Sequence, residues 1–188
     1  MAKKVLVVKN FVSNDILNDL NQWTLSNRHQ EIFNDAGMDK YAPETRFTTR
    51  CGNESNAPLI EYPKSALLLK KSIIDYFHLE NYKSPPSYSQ GIVTGIGYEG
   101  GGIHNHIDPV YYPGTKTVHF NVITQKAESG GHTIIDRVKY DYVQSTDLLI
   151  YQVSEVYHKV TRTKGKTPRI LWVFGFCLDD KKIREIFV

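Results

Sequence analysis

Cysteine is scarce. Only Cys51 and Cys177 occur in 188 residues, far apart and without a CxxC pair. That excludes a disulfide framework and a thiolate-rich zinc module, and it predicts two buried free thiols in a reducing compartment. Long apolar runs are missing too. The start MAKKVLVVKNF holds a four-residue apolar run, too short for the core of a secretory signal. No stretch approaches the roughly 20 residues of a membrane-crossing helix. An excess of one charge is also lacking: 23 Lys and Arg face 20 Asp and Glu, a formal net charge of +3. So mild a balance gives no support for nucleic acid or a membrane surface as partner. There is no internal repeat and no low-complexity segment. What remains is globular composition, 40% hydrophobic and 23% charged. The expectation is a cytoplasmic protein with a single domain over residues 1–188.

The two halves differ in character. KVLVVKNF reads as a strand. SNDILNDLNQWTLSN follows with Ser13 or Asn14 as a cap and Ile16, Leu17, Leu20, Trp23 and Leu25 at roughly helical spacing. ETRFTTRCG alternates as a short strand does. PKSALLLKKSIIDYFHLE is a second helix, with Pro63 near its first turn. Beyond Pro85-Pro86, short β-rich runs alternate with Gly-rich turns: YSQGIVTGIGY, TKTVHFNVIT, HTIIDRV, DLLIYQV, YHKVTRT and PRILWVFGF. Such runs without intervening helices predict an antiparallel sandwich or barrel. The predicted architecture is mainly β with flanking α-helices. Residues 1–85 would form a helical support region and residues 86–178 the β core.

The segment GGIHNHIDPV concentrates the chemistry. On a strand His104, His106 and Asp108 share one face. If that face is inward, the three groups need partners, and a divalent metal supplies them. His106-x-Asp108 offers one imidazole and one carboxylate. A facial-triad iron site needs one further histidine and leaves its opposite side open. His158 is the candidate, in YHKVTRTKGKTPRILWVF, read as a hairpin turning near Lys164-Gly165 and placing Arg169 on the return strand beside it. Arginine suits bidentate carboxylate capture. His104 shares the face of His106, so either imidazole can be the ligand on this reading, with His104 otherwise facing substrate or supporting the site.

The order His106-x-Asp108, His158, Arg169 resembles the Fe(II)/2-oxoglutarate-dependent dioxygenases, in their prolyl-4-hydroxylase-like group. Tyr98, eight residues before His106, falls where that group often has a tyrosine reaching the co-substrate. KTVHFNVITQKAESGGHTIID resembles its strand, turn and strand ending in Gly-Gly. KVLVVKNFVSNDILNDL resembles its opening strand and helix, so the likeness covers most of the chain. Two departures stand out. Many prolyl hydroxylases carry lysine where Arg169 stands, and tyrosine where Ile123 falls.

The resemblance implies a double-stranded β-helix, a jelly-roll or cupin-like sandwich supported by N-terminal helices. It implies Fe(II) on His106, Asp108 and His158, and 2-oxoglutarate held by Arg169 with Tyr98 and Asn121. Dioxygen would drive decarboxylation to succinate and CO2 and hydroxylation of an unactivated C–H bond. The substrate would be a peptidyl or prolyl group, a protein side chain or a small molecule. His104, Tyr112, Arg46 and Arg50 are the candidates for contacting it. Two other readings compete. A cupin-type metalloprotein would explain His104-x-His106, but the glutamate of that motif is missing. A β-sandwich binding module without catalysis would keep the fold alone.

Overall fold

Alternation of apolar and polar residues along the strands decides which surface each sheet buries. The computed structural model describes residues 3–35, 45–49 and 59–188. Among these, a large antiparallel sheet runs in the order β1 (Val5–Val8), β10 (Leu148–Tyr151), β6 (Thr115–Gln125), β13 (Arg169–Asp179), β4 (Ile92–Gly97), β3 (Arg46–Thr49) and β2 (Phe33–Asp35). A smaller sheet runs β5 (Ile103–His106), β11 (His158–Val160), β8 (Thr133–Ile135) and β9 (Val138–Lys139). A two-stranded ribbon joins β12 (Thr163–Lys164) to β7 (Ser129–Gly130). The fold is a mainly β sandwich with flanking helices, as the strand pattern predicts.

On β4, β6, β10 and β13 of the large sheet, even-numbered residues face the helices. Phe120 and Val122 of β6, Ile150 of β10, Ile92 and Ile96 of β4, and Trp172, Phe174 and Phe176 of β13 pack there. Against them lie α1 (Asn14–Asn27) and α2 (Lys64–Phe77), through Leu17, Leu20, Leu69 and Ile73. Each such fully buried side chain contributes about 1.5–3 kcal/mol. The Ser13 side chain caps α1 by accepting from the Ile16 N–H. Pro63 precedes α2, and His78 ends it in the left-handed conformation. A third helix, α3 (Asp180–Ile186), begins at Asp179, whose carboxylate accepts from the Lys182 N–H. The sequence reading did not anticipate it, although Asp179 is a conventional capping residue.

Odd-numbered residues of the same strands face the small sheet. A minor core of Ile135, Val143, Leu149, Tyr151, Val153 and Val156 fills part of this interior. The rest is a cavity of ≈ 240 Å³. The first half of the chain supplies more than helices, since β1, β2 and β3 all join the large sheet. Cys177 is buried and free, as expected, while Cys51 lies outside the described residues. Among the described residues no helix is long and apolar enough to cross a membrane.

Candidate metal centre

Strand register brings the two histidines together. In the antiparallel pair of β5 and β11, His106 and His158 are direct partners. Partners point to the same face, and their ring centroids are 4.2 Å apart. Strand β5 ends at His106, so Asp108 reaches the site from the segment that follows. Its N–H donates to the Val153 carbonyl at 2.9 Å and so fixes the turn. The Asp108 Oδ1 atom then lies 3.1 Å from His106 Nε2 and 3.9 Å from His158 Nε2. One donor atom from each of the three residues falls within 4.8 Å of the others. Two imidazoles and one carboxylate on one face of a cavity suit a first-row divalent ion such as Fe(II).

The backbone also orients the rings. His106 Nδ1 lies 2.7 Å from the His104 carbonyl, and His158 Nδ1 lies 3.2 Å from the Val156 carbonyl. A carbonyl only accepts, so each Nδ1 donates its proton there; His106 Nε2 also shares a proton with Asp108 in the metal-free chain, and a metal would take that proton's place. His104 itself is exposed and does not line the cavity; it serves through its carbonyl. The sequence reading left His104 and His106 as alternatives, and the structure brings only His106 to Asp108 and His158.

Protonation follows burial and neighbours. Desolvation holds the His158 imidazole below its ordinary range, which keeps it neutral and ready to ligate. His106 is raised, first by its hydrogen bond to Asp108. Burial pushes the Asp108 carboxyl upward, but the His106 bond and the imidazoles around it outweigh burial and leave it below the usual range.

Arg169 reaches the cavity from the opposite sheet. The expected hairpin does not form: β11 pairs with β5 and β8, and β13 pairs with β4 and β6. His158 and Arg169 therefore face each other across the sandwich instead of along a shared ladder. The Arg169 guanidinium is buried, and one of its terminal nitrogens donates to Thr133 Oγ1 at 3.1 Å. Among the described residues its Nε has no hydrogen-bond partner. Burial lowers its pKa to about 10. A buried cation with a spare donor suits an anionic ligand.

The other predicted residues divide. Asn121 lines the cavity, and its amide donates to the Leu149 carbonyl at 3.2 Å. Arg46 lines it too, in register with Gly97, which is in turn in register with Arg169. Gly97 puts no side chain between the two guanidinium stems. Tyr98 does not line the cavity. It has the even-numbered parity of β4, so its ring packs on the helix-side core, edge-on to Phe47. Tyr112 stays outside as well, with the Lys83 ammonium 5.1 Å from its ring centre. Arg50 lies outside the described residues. The sequence reading passed over Tyr151, which lines the cavity with its ring 5.3 Å from that of His158. Burial raises its hydroxyl, with Arg169 and Asp108 close enough to act on it. Its signal was the alternation of DLLIYQV, where Leu149 and Tyr151 share a face.

No family model matches the chain. No curated protein matches it either. Solved structures do, across nearly its whole length. A prolyl-4-hydroxylase from Pseudomonas putida superposes with a TM-score of 0.61 at 14% identity, covering 94% of this chain and 92% of its own. A Trichoplax adhaerens prolyl hydroxylase, in complex with a hypoxia-inducible-factor peptide fragment, gives 0.62 at 15% identity over 98% and 87%. The collagen prolyl hydroxylase of Paramecium Bursaria Chlorella virus-1, in complex with 2-oxoglutarate, gives 0.65 at 11% identity over 94% and 97%. The chain thus has the double-stranded β-helix fold of the prolyl-4-hydroxylase-like 2-oxoglutarate/Fe(II) oxygenases.

Proposed function

We propose that the chain is an Fe(II)- and 2-oxoglutarate-dependent dioxygenase, a single domain over residues 1–188, that hydroxylates a C–H bond of a peptidyl or small-molecule substrate. One observation carries the reading: a His-Asp-His group and a buried arginine face each other from opposite sheets of one cavity. His106, Asp108 and His158 would hold the iron. Iron with bound 2-oxoglutarate supplies dioxygen activation, decarboxylation to succinate and CO2, and oxidation of the substrate C–H bond.

The protein's part is to position and to shield. Arg169 would pair with the far carboxylate of 2-oxoglutarate from the wall opposite the metal ligands. Tyr151 takes the place beside Arg169 that the resemblance assigned to Tyr98. Asn121 forms part of the same wall. Leu149, Leu171 and Val173 supply apolar surface that keeps water away from the ligand. Arg46 is the remaining candidate for a substrate contact.

The test is an anaerobic titration of metal-free protein with Fe(II) and 2-oxoglutarate, followed by visible absorbance. A weak metal-to-ligand charge-transfer band should appear only when both are present. Asp108→Ala should weaken iron retention, and Arg169→Ala should raise the 2-oxoglutarate concentration required. Iron binding without the band would favour the cupin-type alternative. No metal binding at all would overturn the enzyme reading.

A further inference from the structure

The two oxygens of Asp108 have different company. Oδ1 faces the Nε2 atoms of His106 and His158. Oδ2 faces a third histidine, His119, whose Nε2 is 3.6 Å away. His119 lies in the middle of β6, buried, with Tyr151 and Gly175 as its register partners on either side. The Tyr88 hydroxyl sits 3.0 Å from the same Nε2. Gly175 makes this placement feasible. A Cβ there would meet the Tyr88 ring and Pro85 at 3.0 Å, tighter than ordinary contact. The missing side chain on β13 is the space into which Tyr88 folds beside His119.

The imidazole can hold its proton on either nitrogen. A bare Nε2 lone pair directed at a carboxylate oxygen would be repelled; an Nε2–H is attracted. On the Nε2–H tautomer, that N–H would lie between Oδ2 at 3.6 Å and the Tyr88 oxygen at 3.0 Å. We propose that His119 is a positioning residue for Asp108: its Nε2–H, steadied by Tyr88, holds Oδ2 so that only Oδ1 is offered to the metal. A carboxylate that turned to give both oxygens would take a coordination position that the co-substrate or dioxygen needs.

This inference rests on the metal reading above, and its test separates the two. Co(II) is titrated into the metal-free chain and into His119→Phe and His119→Gln, reading affinity and the visible d–d spectrum. The glutamine keeps an N–H near Oδ2; the phenylalanine does not. His119→Phe should bind Co(II) roughly 10–100-fold more weakly, with an altered spectrum. His119→Gln should keep the wild-type spectrum and recover most of the affinity. If the wild-type chain binds no Co(II), the metal reading fails. If it does and His119→Phe matches it in affinity and spectrum, the positioning role fails while the metal site stands. Equal damage in both variants would mean that the imidazole itself is required, which also overturns the proposal. A measurement on the unsubstituted chain covers a variant that does not fold. With Zn(II) bound, nitrogen-15 NMR should show His119 as the Nε2–H tautomer, and the Nδ1–H tautomer would overturn the inference.

Discussion

Replacing Arg169 by methionine should make the ligand-free protein more stable and at the same time disable it. The guanidinium is buried, and its pKa falls from 12.5 to about 10, with desolvation the leading cause. A lowered pKa in a base means that the fold disfavours the charged form. The penalty is complete below the folded value, so it is fully present at pH 7, and it fades only as pH rises through about 10. At roughly 1.4 kcal/mol per pH unit, the charge costs the ligand-free fold on the order of 3 kcal/mol. Losing the bond to Thr133 offsets about 1 kcal/mol. Methionine fills a similar volume without charge. The variant should therefore gain about 2 kcal/mol, or roughly 4–8 °C in Tm for a chain of this size. With 2-oxoglutarate and metal added, the order should reverse. Two charge-assisted hydrogen bonds, each about 1.5–3 kcal/mol, are lost, so 2-oxoglutarate should bind about 100-fold or more weakly. The wild type then gains from ligand binding what the variant cannot. Thermal melts with and without metal and 2-oxoglutarate give both numbers. A ligand-free variant that melts several degrees below the wild type would refute the charge argument. An unchanged response to 2-oxoglutarate would refute the anchor assignment.

Two further outcomes follow from single positions. Gly97→Val adds a side chain between Arg46 and Arg169, where the nearest atom to an added Cβ is Thr163 Cγ2 at 3.7 Å; equilibrium unfolding should change by no more than about 1 kcal/mol, while the charge-transfer titration should need roughly tenfold more 2-oxoglutarate. Asp147 accepts from the Gln144 N–H at 2.8 Å, the Asn10 N–H at 3.2 Å and the Lys9 ammonium at 2.7 Å, and its side chain is 1% exposed. Asp147→Asn should cost about 1.5–3 kcal/mol at pH 7 in urea unfolding. Lys9 is half exposed, so the backbone bonds carry most of this. Burial works against ionisation of Asp147, but these bonds outweigh it and depress its pKa below 3.8; its stabilisation is present above that value and fades as pH falls through the lower folded one. The gap between wild type and variant should therefore close in acid, and a gap that widens would contradict the assignment.

What the sequence determined by itself was local. Alternation is a property of each strand, so DLLIYQV, TKTVHFNVIT and PRILWVFGF declared two faces before any pairing was known, and the antiparallel sandwich followed. The capping residue Ser13 marked the first helix for the same reason. His106-x-Asp108 was legible because two residues two apart act as a unit. Arg169 was legible as an anionic anchor from its chemistry and from the family resemblance, but not from its neighbours.

Tertiary structure decided everything that depends on which strand lies beside which. His158 and Arg169 are eleven residues apart, and the chain between them could close a hairpin or cross from one sheet to the other. Only the pairing of β13 with β4 and β6 shows that it crosses. The resemblance put Tyr98 at the co-substrate, but it packs on the helix side of the large sheet, while Tyr151 of β10 lines the cavity. The place of His119 was not legible in the sequence, because what gives it meaning, the second oxygen of Asp108 and the Tyr88 hydroxyl, comes from elements far away in sequence. Periodicity reports which residues share a face; register and sheet order, set by packing across the whole sandwich, report what that face meets.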